Sequence, residues 1–168
     1  SRDVTMNVGD ISGAWHHVAA TWDGTDRKLY LDGVFKVGDQ PGAHNVPNAS
    51  NFRIGSTNNG EYFDGKIDEI RIWNEARTQT EIQATMNNSL TGSESGLVAY
   101  YKMNGGSGTS LADSSSNSNT ATMINMSDAD WVDGNASFSD SSMLFNITDI
   151  SGNTSEDGTT STFKVALK

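Results

Sequence analysis

Two adjacent carboxylates, Asp68 and Glu69, could do chemistry at the end of a predicted strand. Two carboxyl groups about 5–5.5 Å apart can hydrolyse a glycosidic bond with retention of configuration. In a strand, however, successive side chains point to opposite faces of the sheet. Asp68 then shares a face with Ile70 and Ile72. Glu69 lies on the other face with Arg71, and we expect these two to pair. The sequence therefore favours a protein that is not an enzyme.

The three histidines do not suggest a metal site. His16 and His17 are adjacent, so in a strand their side chains lie on opposite faces and cannot both bind one ion. His44 lies in a loop, 38–50, that contains both prolines. We expect these histidines to be packed or hydrogen-bonded. The chain has no cysteine, which excludes disulfides and thiolate metal sites.

Strands must position these side chains, because the stretch 15–37 is typical of antiparallel β-structure. Residues 15–22 alternate without a plainly polar face, which predicts a strand inside a sandwich. Residues 28–31 and 34–37 flank Asp32-Gly33. Asp-Gly between two strand-like runs predicts a hairpin with a type I′ turn.

The rest of the chain predicts more strands and one short helix. Thr78 and Glu81 form a capping box, and the helix behind it runs to about Asn88. It places Ile82 and Met86 on one face. Further strands are predicted over 2–8, 52–55, 62–73, 97–103 and 120–126. The predicted fold class is all-β with one short helix.

Several motifs in a fixed order resemble laminin-G-like jelly-roll domains of the concanavalin-A-like lectin/glucanase superfamily. WHHVAATWDG at 15–24 and LYLDG at 29–33 are similar to the signature WHHVAxTxDG…LYxDG. FDGKIDEIRIWN at 63–74 resembles the family's FxGxIDEVRIW strand. The resemblance covers 6–131 and implies an antiparallel jelly-roll sandwich. Such domains normally have a comparable length of chain before the first motif. We therefore expect this to be the C-terminal portion of one, with another segment or chain completing the sandwich.

The resemblance also implies a calcium site. DSSSNSN at 113–119 is similar to the family's DxSGNGN loop, which binds Ca²⁺ in many relatives. Oxygen ligands on a loop suit this cation. Ser116 and Ser118 replace glycines of the family loop, and the alternative is an Asx-turn loop without metal. The candidate ligands, for a structural Ca²⁺, are Asp113, Asn117, Asn119 and Asp68.

Six aromatic side chains could stack against sugar rings, but most lie in predicted strands, where core packing is the expected role. The six are Trp15, Trp22, Tyr30, Trp73, Tyr100 and Tyr101. The two best candidates for ligand contact are the strand residue Trp22, from this set, and Tyr62, a further aromatic residue in a loop.

Composition limits the partners. The net charge of −10 over 168 residues argues against a nucleic-acid partner, because binding phosphates needs clustered Lys and Arg. No run of residues approaches the roughly 18 apolar residues of a membrane span. We expect no nucleic acid and no membrane span.

The sequence changes character after Trp131, which we expect to close the first domain. We predict a laminin-G-like domain over 1–132, a polar linker over 133–142 and the start of a second β-sandwich module over 143–168. SGNTSEDGTTSTFKVAL at 151–167 resembles the opening of calx-β or immunoglobulin-like repeats of long surface proteins.

These resemblances imply a non-catalytic binding or adhesion module of an extracellular or cell-surface multidomain protein, such as a bacterial adhesin. Its partner would be a glycan or a surface protein. One alternative is a structural spacer or filament subunit with no small ligand. Another is an accessory fragment of a polysaccharide hydrolase.

Overall fold

The computed structural model describes residues 4–41, 53–56 and 62–132, together with the backbone of 144–148. The chain is all-β with one short helix, which confirms the predicted fold class. A 3₁₀ helix, Asp128–Asp130, lies between the last two strands. The elements are β1 (Val18–Trp22), β2 (Arg27–Leu31), β3 (Val34–Asp39), β4 (Asp68–Trp73), α1 (Gln79–Thr85), β5 (Leu97–Tyr101), β6 (Ser110–Leu111), β7 (Ala121–Thr122) and β8 (Leu144–Thr148).

Six strands form one sheet in the order β3–β2–β1–β8–β4–β5, and β6 pairs with β7 in a second, small sheet. Strands β1, β2 and β3 pair antiparallel in sequence order, as do β4 and β5. Strand β8 lies between β1 and β4 and is parallel to both. The sheet therefore consists of two antiparallel units joined by a strand from late in the sequence. The division of the chain into two modules stays a prediction.

The predicted hairpin is confirmed. Asp32 and Gly33 have φ values of 51° and 69°, and a type I′ turn requires positive φ at both positions. The Asp32 carboxylate accepts the backbone N–H of His17 at 3.0 Å, and the Asp32 N–H donates to the His17 carbonyl at 2.8 Å. The turn is thus tied to the residue just before β1.

Alternation along the strands divides the large sheet into two faces. The face that carries Val18 and Ala20 of β1 also carries Ile72 of β4, because Ala20 and Ile72 are both register partners of residue 147 in β8. We call this face the core face. Its two clusters are completed by Val4, Met6, Leu29, Leu31, Ile70, Ala99, Tyr101 and Leu111. On the other face, which we call the helix face, Ala19 and Tyr30 pack against Ile82 of α1.

Several predicted strands were too long. Residues 4–8 alternate as predicted, with Val4 and Met6 buried, but the described part of 2–8 forms no strand. The strands predicted over 62–73, 97–103 and 120–126 shorten to β4, β5 and β7. Strand β1 begins only at Val18, so Trp15 packs against the core face instead of alternating with Ala19. Hydrophobic alternation continues in extended chain that has no neighbour to pair with, which is why it overestimates strand length.

The helix begins at the predicted capping box. The Thr78 hydroxyl accepts the Glu81 N–H at 3.3 Å, and the Glu81 carboxylate accepts the Thr78 N–H at 2.8 Å. Two glutamines attach the helix to the hairpin. Gln79 accepts the Phe35 N–H through Oε1 at 3.2 Å, and Gln83 Nε2 donates to the Gly33 carbonyl at 2.9 Å.

A buried arginine joins β4 to the end of this helix. Arg71 has no exposed surface, and its Nη2 donates to Glu69 Oε2 at 3.0 Å, which confirms the predicted pair. Its guanidinium also donates to the carbonyls of Thr85, at 2.8 Å, and Asn88, at 2.5 Å. The Tyr100 hydroxyl donates to the same Glu69 oxygen at 2.5 Å. One charged cluster therefore links β4, β5 and α1.

Replacing Arg71 by methionine should destabilise the fold by about 3–5 kcal/mol, because Glu69 would then be buried without its partner. Urea unfolding measures this loss. The control is Lys28→Met, since Lys28 and Asp26 form a more exposed pair, 3.3 Å apart, and such pairs contribute less than about 1 kcal/mol. Equal losses in the two variants would contradict a central role for Arg71.

Candidate functional site

Residues 113–119, which we call the edge loop, cover the outer edge of β5. The Tyr100 N–H donates to Asp113 Oδ1 at 2.8 Å, and the Tyr100 carbonyl accepts the Ser114 N–H at 2.7 Å. The start of the loop thus imitates a neighbouring strand. An open strand edge invites pairing with other chains, and the loop blocks that pairing here.

The two asparagines of the edge loop serve the same strand. The Asn117 side chain donates through Nδ2 to the Leu97 carbonyl at 2.9 Å. Asn119 Nδ2 donates to the Val98 carbonyl at 2.9 Å. Both amides therefore act as hydrogen-bond donors toward β5.

The Asp113 carboxylate closes the loop. Oδ1 also accepts the Ser115 N–H at 2.7 Å, which is an Asx-turn contact. Oδ2 accepts the Ser115 hydroxyl and the Asn119 N–H, each at 2.8 Å. Burial alone would raise the pKa of Asp113, but the hydrogen bonds from Tyr100, Ser115 and Asn119 outweigh it and lower the pKa. The carboxylate is therefore ionised at neutral pH.

These contacts do not fit a calcium ion. A carboxylate has about four acceptor positions, and protein donors fill four at Asp113. Arg71 of β4 is the register partner of Tyr100, which the edge loop contacts on the outer side of β5. Asp68 lies three residues before Arg71, roughly 10 Å along β4. Asp68 and the loop are therefore separated by strand β5 and by this distance along β4. Within the described ranges, no three His, Asp or Glu side chains could together hold a metal ion. The resemblance predicts calcium binding, and the hydrogen bonds at Asp113 argue against it.

Asp68 has a different environment from the loop. It begins β4, and its Oδ1 accepts the Glu69 N–H at 2.8 Å. Burial raises the pKa of Asp68, and the nearby charge of Glu69 adds to that rise. The carboxylate of Glu69 itself is bound by Arg71 and Tyr100. The carboxylates of Asp68 and Glu69 therefore both accept hydrogen bonds from groups within the fold.

The two aromatic candidates lie in opposite environments. Tyr62 is 72% exposed and forms an antiparallel bridge with Ser56. Trp22 is only 6% exposed, because it ends a strand with neighbours on both sides, and its indole N–H is buried without an acceptor. Trp22 therefore offers no ring face to a sugar, and the prediction of ligand contact there does not suit this structure. For Tyr62 it stays a prediction.

Sequence reasoning missed Phe35, because it was assigned only as a hairpin strand residue. Phe35 is 47% exposed and its ring meets Tyr30 edge to face, with centroids 5.9 Å apart. Phe35 is the second residue after the Asp32-Gly33 turn and lies on β3, an outer strand of the large sheet, and that position could have drawn attention to it. Phe35 is a second exposed aromatic side chain.

Of the three histidines, His44 lies outside the described residues, and His16 and His17 lie at the junction of the two motifs. His16 Nδ1 lies 2.9 Å from Asp32 Oδ2, so the WHH and LYLDG motifs meet at the turn. His17 is 2% exposed. Burial, assisted by the positive charge of Arg71 and opposed by Asp32, lowers the pKa of His17 to about 3. His17 is therefore neutral at physiological pH.

The depressed pKa of His17 should make stability fall as the solution is acidified. The unfolded chain binds a proton near pH 6.5 and the folded chain only near pH 3, so stability is lost as pH falls below 6.5. The slope should approach about 1.4 kcal/mol per pH unit. Urea unfolding between pH 6.5 and 5 measures it. His17→Gln should abolish this slope and His16→Gln should leave it. A slope that survives in His17→Gln would contradict the assignment.

Replacing Asp113 by alanine should destabilise the fold by about 2–3 kcal/mol, because several N–H groups lose a charged acceptor. Ser116→Ala, an exposed change in the same loop, is the control.

Thermal unfolding with Ca²⁺ and with EGTA should give the same melting temperature for the unmodified protein. A saturable rise with Ca²⁺ would contradict a loop closed by Asp113.

Comparison with known proteins agrees with this architecture. Residues 3–83 match the Laminin_G_3 family model of the concanavalin A-like lectin/glucanases superfamily. This laminin-G-like region contains β1 to β4 and most of α1. This chain is 35% identical over 81 residues to pappalysin-1 of Mus musculus and 37% identical over 82 residues to that of Homo sapiens. The matches cover 45% of this chain but only 5% of each pappalysin-1.

A solved structure extends the likeness beyond the laminin-G-like region. It is a protein of Bacteroides ovatus ATCC 8483 that is provisionally designated carbohydrate binding. It superposes with a TM-score of 0.53 at 27% sequence identity. The match covers 70% of this chain and 39% of that one. In the described residues, no helix has the length and apolar character that crossing a membrane requires.

Proposed function

We propose that this protein is a non-catalytic carbohydrate-binding module of an extracellular multidomain protein. The observation that carries the proposal is the likeness to the Bacteroides ovatus protein, which extends over 70% of this chain. The match to the laminin-G-like model supports a binding module of this superfamily. The short match to pappalysin-1 supports a multidomain context, because the matched segment is 5% of a much longer chain.

The described side chains support binding over hydrolysis. Retaining hydrolysis needs two carboxyl groups facing one bond. Glu69 is 6% exposed and is held by Arg71 and Tyr100, so it is not available to a substrate. Burial, then the hydrogen bond to Glu69, raises the pKa of Tyr100 to about 12, so that hydroxyl also keeps its proton.

Tyr62 is the side chain most suited to a sugar. Aromatic rings bind sugars through an apolar face with a polar tip nearby, and Tyr62 exposes 72% of its surface. A neutral glycan is the favoured class, because the chain has a net charge of −10 and would repel an anionic polysaccharide.

Binding to an array of neutral glycans, followed by titration of the best glycan, tests the proposal. Tyr62→Ala should weaken binding about five- to tenfold, the effect of losing one aromatic contact of about 1 kcal/mol. Ile124→Ala is the matched control, since Ile124 is 73% exposed and should leave affinity unchanged. Failure of the folded protein to bind any glycan would contradict the proposal and favour a structural spacer.

A further inference from the structure

Phe35 lies on the helix face of the large sheet, beside α1. It is the register partner of Tyr30, and the two rings meet edge to face with their centroids 5.9 Å apart. Tyr30 is itself buried and packs against Ile82 of α1, so it gives Phe35 a fixed support. Phe35 nevertheless keeps 47% of its surface exposed. The contact with a buried ring therefore holds an exposed apolar ring in one place.

A glycine on the same strand keeps one edge of this ring open. A Cβ at Gly38 would lie 3.4 Å from the Phe35 ring and only 2.5 Å from the Arg27 carbonyl oxygen. Position 38 therefore has no room for a side chain. Strand β3 thus leaves this edge of the Phe35 ring uncovered.

Two glutamines of α1 present one hydrogen-bond donor and one acceptor next to β3. The Phe35 N–H can only donate, so Gln79 turns Oε1 toward it, at 3.2 Å, and Nε2 away. The Gly33 carbonyl can only accept, so Gln83 turns Nε2 toward it, at 2.9 Å, and Oε1 away. Both glutamines are exposed, and within the described part of the chain neither outward atom has a protein partner. The backbone of the hairpin thus fixes which atom each amide offers to solvent.

We call Phe35, Gln79 and Gln83 the hairpin platform, and its chemistry matches the surface of a pyranose sugar. A sugar ring carries C–H groups that pack on an aromatic side chain, and hydroxyl groups that both donate and accept hydrogen bonds. Phe35 supplies the apolar contact, Gln79 the donor and Gln83 the acceptor. None of the three side chains is charged, which suits a neutral sugar.

The hairpin platform is separate from Tyr62. Phe63, the residue after Tyr62, packs against the core-face cluster that contains Val18. Phe35 lies on the helix face, on the other side of the large sheet. A layer packed on a sheet lies about 10 Å from it, so one disaccharide cannot contact both Tyr62 and Phe35.

We propose that the hairpin platform is a second binding site for a neutral pyranose sugar, so that this module has one glycan site on each side of its large sheet. The inference rests on the proposed carbohydrate-binding function. Two sites on opposite sides allow one module to hold two glycan chains, or two points of one polymer. Linked contacts of this kind raise the overall affinity without any new contact.

The side-chain amide signals of Gln79 and Gln83 in heteronuclear NMR spectra report on this site directly. The probe is the neutral glycan that binds best on the array, used as its terminal disaccharide. Both signals should shift saturably, and Phe35→Ala should weaken the affinity that they report about five- to tenfold. Val34→Ala is the matched control, because Val34 is 48% exposed but is the register partner of Leu31 on the core face.

Gln79→Glu separates sugar contact from a structural role of this side chain. Glutamate keeps the shape of glutamine and the acceptor for the Phe35 N–H, but it replaces the outward donor by an acceptor. The Gln83 signal should then report an affinity weaker by roughly three- to tenfold, with no loss of melting temperature. An unchanged affinity would mean that Gln79 only supports the hairpin, and would overturn the proposed site.

The remaining outcomes separate this proposal from the proposed function. If Tyr62→Ala weakens glycan binding while the Gln79 and Gln83 signals do not move, the platform binds no sugar and the proposed function stands. Shifts that Phe35→Ala leaves unchanged would also overturn the platform. If the folded protein binds no glycan at all, the proposed function is wrong and the second site is wrong with it.

Discussion

The pairing of the buried Arg71 guanidinium with Glu69 and two backbone carbonyls is the interaction on which the rest of this structure depends. A buried charge is tolerated only when a counter-charge and hydrogen-bond acceptors surround it. Glu69 supplies the counter-charge from the same strand, and the carbonyls of Thr85 and Asn88 supply acceptors at the end of α1. The helix is therefore held against the sheet by its carbonyls as well as by Ile82. Burial is the main cause of the low pKa of His17, and the Arg71 charge lowers this pKa further because it disfavours a second positive charge nearby.

Backbone hydrogen bonding is the second general constraint, and it explains residues that look like functional motifs. The Asp and Asn residues of the edge loop could bind a cation by type, yet they satisfy the outer edge of β5. Asp32 likewise ties the hairpin turn to His17. In both places a carboxylate accepts a backbone N–H at the edge or the end of a strand. We therefore expect ligand contact at exposed aromatic side chains such as Tyr62, and not at these polar motifs.

Local signals predicted local structure well. The hairpin turn was predicted from Asp32-Gly33 because only a few residue types tolerate positive φ at both positions. The capping box at Thr78 was predicted because its two hydrogen bonds span three residues. The Glu69–Arg71 pair followed from the two-residue period of a strand. Strand ends were predicted poorly, because alternation at Val4 and Met6 does not reveal whether a partner strand is present.

The sequence by itself determined the fold class, the hairpin, the helix start and the face on which each strand residue lies, since these depend on contacts within a few residues. Only the tertiary structure decided that Trp22 is covered, that Tyr100 joins the Glu69–Arg71 pair, and that Asp113 binds the edge of β5. It also decided that β8 lies between β1 and β4. The physical reason is that these contacts join residues far apart in the chain, and periodicity carries no information about which distant segment fills a given space.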